Sequence, residues 1–235
     1  MLLLPLVAIS ASALVVLTLR WFDPPTSAFM LGSMLDGDPA GTSGSRKVDY
    51  RWRDLGQISP YAAVAVVAAE DQNFAHHNGF DFKAIREAMS HNATGKRVRG
   101  ASTISQQVAK NLFLWRKRSY PRKLLEAWYT VLIEAFWPKE RILEVYLNVA
   151  QFGSGIYGVE AAAQRFYSRP AARLNREQCA MLAAVLPNPL RFRARRPGRY
   201  LVGRQRWILA QMSDLGDRDY LAGLRANASQ PVRGN

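Results

Sequence analysis

Glu70-Asp71-Gln72-Asn73-Phe74-Ala75-His76-His77-Asn78-Gly79-Phe80-Asp81 is the stretch from which the rest of the chain is read. It follows Ser59-Pro60 and a nearly unbroken apolar run from Tyr61 to Ala69. A serine before a proline marks a helix start, because the first helical position has no use for the N–H that proline lacks. The run beyond is apolar on every side, which makes it a buried helix. Glu70 and Asp71 therefore fall at the C-terminal end of a core helix. Desolvation and the negative end of the helix dipole both raise the pKa of a carboxylate placed there. Glutamate's usual value of about 4.3 then moves toward the range useful to a general base. The bland alternative is a buried carboxylate whose hydrogen bonds are all satisfied. Phe74, His77 and Gly79 turn the chain, and Asp81 is read as the N-cap of the next helix.

The chain has 235 residues, 49% of them hydrophobic, enough for one good-sized domain with appendages. A formal net charge of +14 and a pI near 10.4 call for an anionic partner: phosphate, anionic lipid or nucleic acid. The single Cys179 excludes an internal disulfide and lies in an apolar helical stretch, where a thiol is inert. The three histidines show no zinc-type spacing.

Outward from the central stretch, Leu2 to Leu19 is apolar apart from Ser10, Ser12 and Thr18. At 1.5 Å per residue it spans roughly 27 Å, just enough for a bilayer core. It is read as an uncleaved transmembrane anchor over residues 1–20 rather than a signal peptide. Arg20 alone follows the span, which by itself would place the C-terminal side in the cytoplasm. Residues 21–47, rich in Pro, Gly, Ser and Asp, are read as a linker or membrane-proximal lead-in. Val48 to Trp52 is the one candidate strand ahead of the buried helix. After Asp81 a helix to about Ala93 is expected to face Phe82, Ile85, Ala88 and Met89 inward. Lys96, Arg97 and Arg99 form a basic loop. Gly100-Ala101-Ser102-Thr103-Ile104-Ser105-Gln106-Gln107 then reads as a glycine-led turn, a hydroxyl cap and a helix, a geometry that attracts phosphate. In Arg122-Lys123-Leu124-Leu125-Glu126 the first and last residues share a helix face and can pair. Further helices are expected at 127–137, 139–148, 159–167, 175–186 and 200–215, with a glycine-rich turn at 152–158 and five arginines between Arg191 and Arg199. No strand ladder is visible. The chain reads as mainly α, with a domain over 48–226 and a polar tail at 227–235.

Four of these segments, in order, resemble the signatures of the family 51 glycosyltransferases, the peptidoglycan glycan-chain polymerases. They are Glu70-Asp71-x-x-Phe74-x-x-His77-x-Gly79-x-Asp81, Gly100 to Gln107, Arg122-Lys123-x-x-Glu126, and Lys139-x-x-Ile142-Leu143-Glu144-x-Tyr146-Leu147-Asn148. Ala101 and Ser105 are mild departures, standing where glycine and threonine are common. No Ser-x-x-Lys occurs anywhere in the chain, so it resembles the monofunctional members, which lack a transpeptidase domain.

The resemblance implies a lysozyme-like helical fold with a small membrane-proximal lobe, anchored by one transmembrane helix. It implies a catalytic domain on the outer side of the bacterial cytoplasmic membrane, against the orientation that Arg20 suggests. It implies lipid II and the nascent glycan as substrates and membrane lipids as partners. Glu70 is carried over as the base and Glu126 as the second essential carboxylate. A pyrophosphate leaving group calls for cations, for which Lys110, Arg118, Arg122 and Lys123 are the candidates. Ser102, Thr103, Gln106 and Gln107 are assigned to the donor site, and Asp71 to substrate binding or to bracing the loop beside His77 and Asp81. No tightly bound cofactor is implied. A Mg or Mn ion bridging the pyrophosphate to Glu126 is one option, and other cell-wall synthesis proteins are candidate partners. Phe113, Leu114 and Trp115 are candidates for dipping into the bilayer. The rivals are a glycan-cleaving lysozyme-like enzyme, which would have no pyrophosphate to hold, and a cationic membrane scaffold. Nucleic acid fits poorly, because aromatic residues are not interleaved with the basic ones.

Overall fold

A computed structural model describes residues 3–35, 47–95 and 100–228. Eleven α-helices and a three-stranded sheet occur among them. Helix α3 (Pro60–Glu70) runs through the centre, with every residue from Ala62 to Ala68 buried. Its small side chains let other helices approach closely. Helices α9 (Arg176–Val185) and α10 (Arg199–Asp214) pack against one another and against α3, and α7 (Lys139–Val149) also touches α3. Helix α5 (Ile104–Phe113) lies against α6 (Tyr120–Phe136) and α7. Ser59 stands at the N-cap of α3 but makes no capping bond. Its hydroxyl instead donates to the Leu174 carbonyl (2.8 Å), so Pro60 alone sets the helix start. Asp81 caps α4 (Phe82–Ala93) by accepting from the Ala84 N–H (2.8 Å).

Several expectations are corrected. The glycine-rich turn carries a hairpin, β2 (Gln151–Gly153) and β3 (Ile156–Tyr157). β3 also pairs in parallel with β1 (Asp49–Tyr50), giving a small sheet in the order β1-β3-β2. Strands of two or three residues are too short for alternation to show in the sequence. Helix α4 buries Ala88 but exposes Phe82 (69%) and Met89 (67%), so its apolar stripe faces outward. Helix α10 is followed by another, α11 (Tyr220–Ala228). Part of the expected linker is the helix α2 (Ala28–Leu35), with Met30 and Ser33 buried in the body of the protein. Residues 36–46, the basic loop residues Lys96, Arg97 and Arg99, and residues 229–235 lie outside the described residues.

Helix α1 (Leu3–Thr18) has 16 residues, a rise of roughly 24 Å. Among the described residues no helix is long and apolar enough to cross a membrane. The C-terminal half of α1 docks on α6: Trp128 Nε1 donates to Ser12 Oγ (3.1 Å), and Trp137 Nε1 to the Val16 carbonyl (2.7 Å). Leu6, Val7, Ile9, Leu14 and Val15 remain exposed along it.

Candidate active site

Four elements converge on the loop after α3. Asp71 accepts from His77 Nε2 (2.9 Å) and, on its other oxygen, from the Ile104 N–H (2.9 Å). His77 Nδ1 accepts from the Gly79 N–H (3.1 Å), which leaves the ring proton on Nε2, directed at Asp71. Thr103 and Gln106 form a reciprocal capping box at the start of α5, and the Thr103 hydroxyl donates to the Gly79 carbonyl (2.7 Å). Lys139 at the start of α7 donates to the His77 carbonyl (2.6 Å) while paired with Glu134. Gly79 has a φ of +85°, and a Cβ there would lie 2.7 Å from Thr130 Cγ2. Only glycine meets both demands.

This brace fixes Glu70, the last residue of α3. Gln107 Nε2 donates to Glu70 Oε2 (2.9 Å), and the Tyr146 hydroxyl reaches Gln107 Oε1 (3.4 Å). Arg204 on α10 lies 3.8 Å from the other carboxylate oxygen and donates to the Ala69 carbonyl (3.2 Å). Burial raises the Glu70 pKa above the usual carboxylate value, against the opposing pull of the Gln107 hydrogen bond, Arg204 and Lys110. Burial and the nearby Glu70 charge hold the Tyr146 pKa well above its ordinary value, so the hydroxyl stays protonated and donates to Gln107.

Beyond Gln107 opens a cleft of about 910 Å³, walled by Lys110, Arg116, Arg118, Arg122 and Lys123, with Glu126 as its one acidic residue among the described residues. Arg122 Nη1 (3.0 Å) and Lys123 Nζ both grip Glu126, whose side chain is 3% exposed. Lys110 makes no ion pair among the described residues. Burial lowers its pKa, against the attraction of Glu126 and Glu70. A smaller cavity of about 260 Å³, lined by Tyr146, Asn111, Asn188 and others, shares Gln107 and Lys110 with the cleft.

Residues 36–213 match the profile of the family described as Transglycosylase. The chain belongs to the transglycosylase family. A protein of Xanthomonas campestris pv. campestris (strain B100) named biosynthetic peptidoglycan transglycosylase is 56% identical over 217 residues, spanning 92% of this chain and 88% of its own length. Proteins of the same name from Ectopseudomonas mendocina (strain ymp) and Xylella fastidiosa (strain 9a5c) are 54% and 51% identical. They cover 92% and 89% of this chain, and 88% and 86% of their own lengths.

In this transglycosylase, Ser102, Gln106, Gln107, Lys110, Arg118, Arg122, Lys123 and Glu126 all line the cleft. Asp71 and Thr103 do not, because their polar atoms are held inside the brace, and Glu70 stands behind Gln107. Neither cavity holds three acidic, histidine or cysteine side chains together among the described residues. Both oxygens of Glu126 already face cations, so the residues present do not fit a protein-held divalent ion.

The sequence assigned no role in the site to four residues. Arg116, Phe29 and Tyr146 line a cavity, and Arg204 faces Glu70. Arg204 had a signal: it lies three residues after Leu201 and four before Ile208, on the stripe of α10 that is buried. Of the three residues expected to reach the bilayer, Leu114 is buried, Phe113 stacks on Tyr129 (4.3 Å between centroids), and only Trp115 is exposed.

Proposed function

We propose that this transglycosylase polymerises peptidoglycan glycan chains from lipid II, working at the outer face of the cytoplasmic membrane. The observation that carries this is the contrast across the site. One desolvated carboxylate, Glu70, is held by a single neutral donor at the edge of a cleft that gathers five basic side chains around Glu126. The growing chain is the donor, its pyrophosphate against Lys110, Arg116, Arg118, Arg122 and Lys123. The acceptor lipid II brings its sugar to the Gln107 and Tyr146 side.

Glu70 takes the proton from the acceptor 4-hydroxyl as that oxygen bonds to the donor's anomeric carbon. The bond from that carbon to the pyrophosphate breaks on the opposite face. The product is a β-1,4 link with inversion, and the leaving group departs as the undecaprenyl pyrophosphate anion. Its growing charge is met by cations already in place rather than by a proton. Arginine's planar fork suits bidentate phosphate contacts at Arg118 and Arg122. Glu126 keeps Arg122 and Lys123 aimed into the cleft. Divalent ions enter this reading only as companions of the substrate's own pyrophosphate. A lysozyme-like hydrolase would have no use for such a basic wall.

The membrane assignment rests on the apolar segment around α1, the exposed Leu124 and Leu125 of α6, and Trp115. The reaction reading is tested by supplying labelled lipid II to the purified protein in detergent. Long glycan is expected from the unmodified chain and none from folded Glu70→Gln, and isolated cell walls should remain intact. Degraded walls without polymer would overturn it in favour of a hydrolase.

A further inference from the structure

Helix α2 precedes every residue matched by the family profile, which starts at 36, yet it supplies part of the site. Phe29 lines both cavities. The Lys110 ammonium lies 5.7 Å from its ring centroid and the Arg116 guanidinium 5.2 Å. Phe29 is fixed in place. Arg116 Nη2 donates to the Phe29 carbonyl (3.3 Å) and to Ser33 Oγ (2.6 Å), the Tyr157 hydroxyl donates to the Phe29 carbonyl (3.1 Å), and Ser33 and Tyr157 bond each other (2.6 Å). Met30 (1% exposed) and Ser27 (2%) bury the same helix.

We propose that Phe29 is a positioning residue of the reaction, its ring face holding Lys110 where the leaving pyrophosphate must be met. Lys110 has no carboxylate within ion-pair distance among the described residues, yet it is desolvated. An ammonium in that situation needs something to fix it, and an aromatic face does so without neutralising it. A carboxylate partner would bind the lysine more firmly but would cancel the charge that the phosphates require. The ring also forms a wall common to the two cavities, so it borders donor and acceptor alike.

The inference rests on reading Lys110 as a pyrophosphate ligand. Its test compares Phe29→Leu, which keeps bulk without a quadrupole, with Phe29→Tyr, which keeps the ring. Polymer formation and the binding of inorganic pyrophosphate by calorimetry are both measured on the full chain, with thermal melting as a check of fold. Expected is a kcat and pyrophosphate affinity roughly fivefold or more lower in Phe29→Leu, within the twofold to thirtyfold span that a cation–π contact supports. Phe29→Tyr should stay close to the unmodified chain. Polymer from the unmodified chain with equal rates and affinities in both variants would overturn the inference and leave the function standing. No polymer from the unmodified chain would overturn the function reading, and pyrophosphate affinity would then decide: weaker in Leu than in Tyr supports a role for the ring, and equal values sink it.

Discussion

Replacing Glu70 by Gln separates the proposed base from the scaffold. The two side chains have the same shape, and the Gln carbonyl can go on accepting from Gln107 Nε2. Arg204, at 3.8 Å, lies beyond hydrogen-bonding distance, so little direct bonding is lost. The carboxylate it replaces is penalised by burial. A pKa raised in the folded state means that the protonated form folds more favourably. The stability it confers is fully present below the usual carboxylate pKa and lost as pH rises through the raised value. At neutral pH the unmodified chain therefore carries a penalty that Gln lacks, about 1.4 kcal/mol for every tenfold gain in proton affinity on folding. Glu70→Gln should thus melt at or above the unmodified temperature at pH 7, the difference shrinking toward pH 4. Its polymerisation rate should fall about 10²- to 10⁴-fold, or roughly 3–5 kcal/mol of barrier, the usual worth of a positioned base. The assay is single-turnover extension of labelled lipid II beside differential scanning calorimetry across pH. A rate within about threefold of the unmodified chain would refute the assignment of the base. A lower melting temperature at pH 7 would refute the claim that burial strains its charge.

Lys110→Met should cost about 10²-fold or more in kcat, as losing one preorganised charge donor does. It should not lower the melting temperature, since it removes a desolvated, unpaired cation; a stable variant with full kcat would contradict the leaving-group role. Gly158→Ala should destabilise by about 3 kcal/mol, because φ is +82° and the new Cβ would meet the Asn148 carbonyl oxygen at 2.6 Å. Chemical denaturation measures this, and an unchanged midpoint would mean that the turn is softer than its geometry implies. Trp115→Glu leaves the core untouched and should keep the melting temperature while weakening association with liposomes; unchanged association would remove Trp115 from the membrane face.

The sequence was most legible where one segment determines its own structure. The apolar run announced α3, Asp81 announced the start of α4, and the i, i+4 spacing of Arg122 and Glu126 became a 3.0 Å pair. It was least legible where the partner is distant. Phe29 and Arg116 are 87 residues apart and meet directly, in a network that Ser33 and Tyr157 complete. No period links them, and the Pro- and Gly-rich surroundings of α2 suggested a linker. Tyr146 packs in the core (1% exposed), and its hydroxyl also donates to the Gln107 amide that holds Glu70. Helix α4 failed in the opposite sense. Its stripe was correctly amphipathic, yet periodicity states only that a face is apolar, not that protein covers it.

The two carboxylates differ in how tightly cations hold them. Glu126 is gripped by Arg122 and Lys123, which suits the cation-aligning role proposed for it. The same grip on Glu70 would favour its ionised form and make it a weaker base. Arg204 illustrates the balance. It tethers itself to the Ala69 carbonyl, leaves its buried Nε without a partner, and stops 3.8 Å from Glu70. A guanidinium that close still lowers the pKa of the acid, while desolvation, the larger effect, raises it. The packing of α10 on α3 sets that 3.8 Å separation, so the proton affinity of Glu70, the proposed base, depends on that helix pair as well as on the motif containing the glutamate.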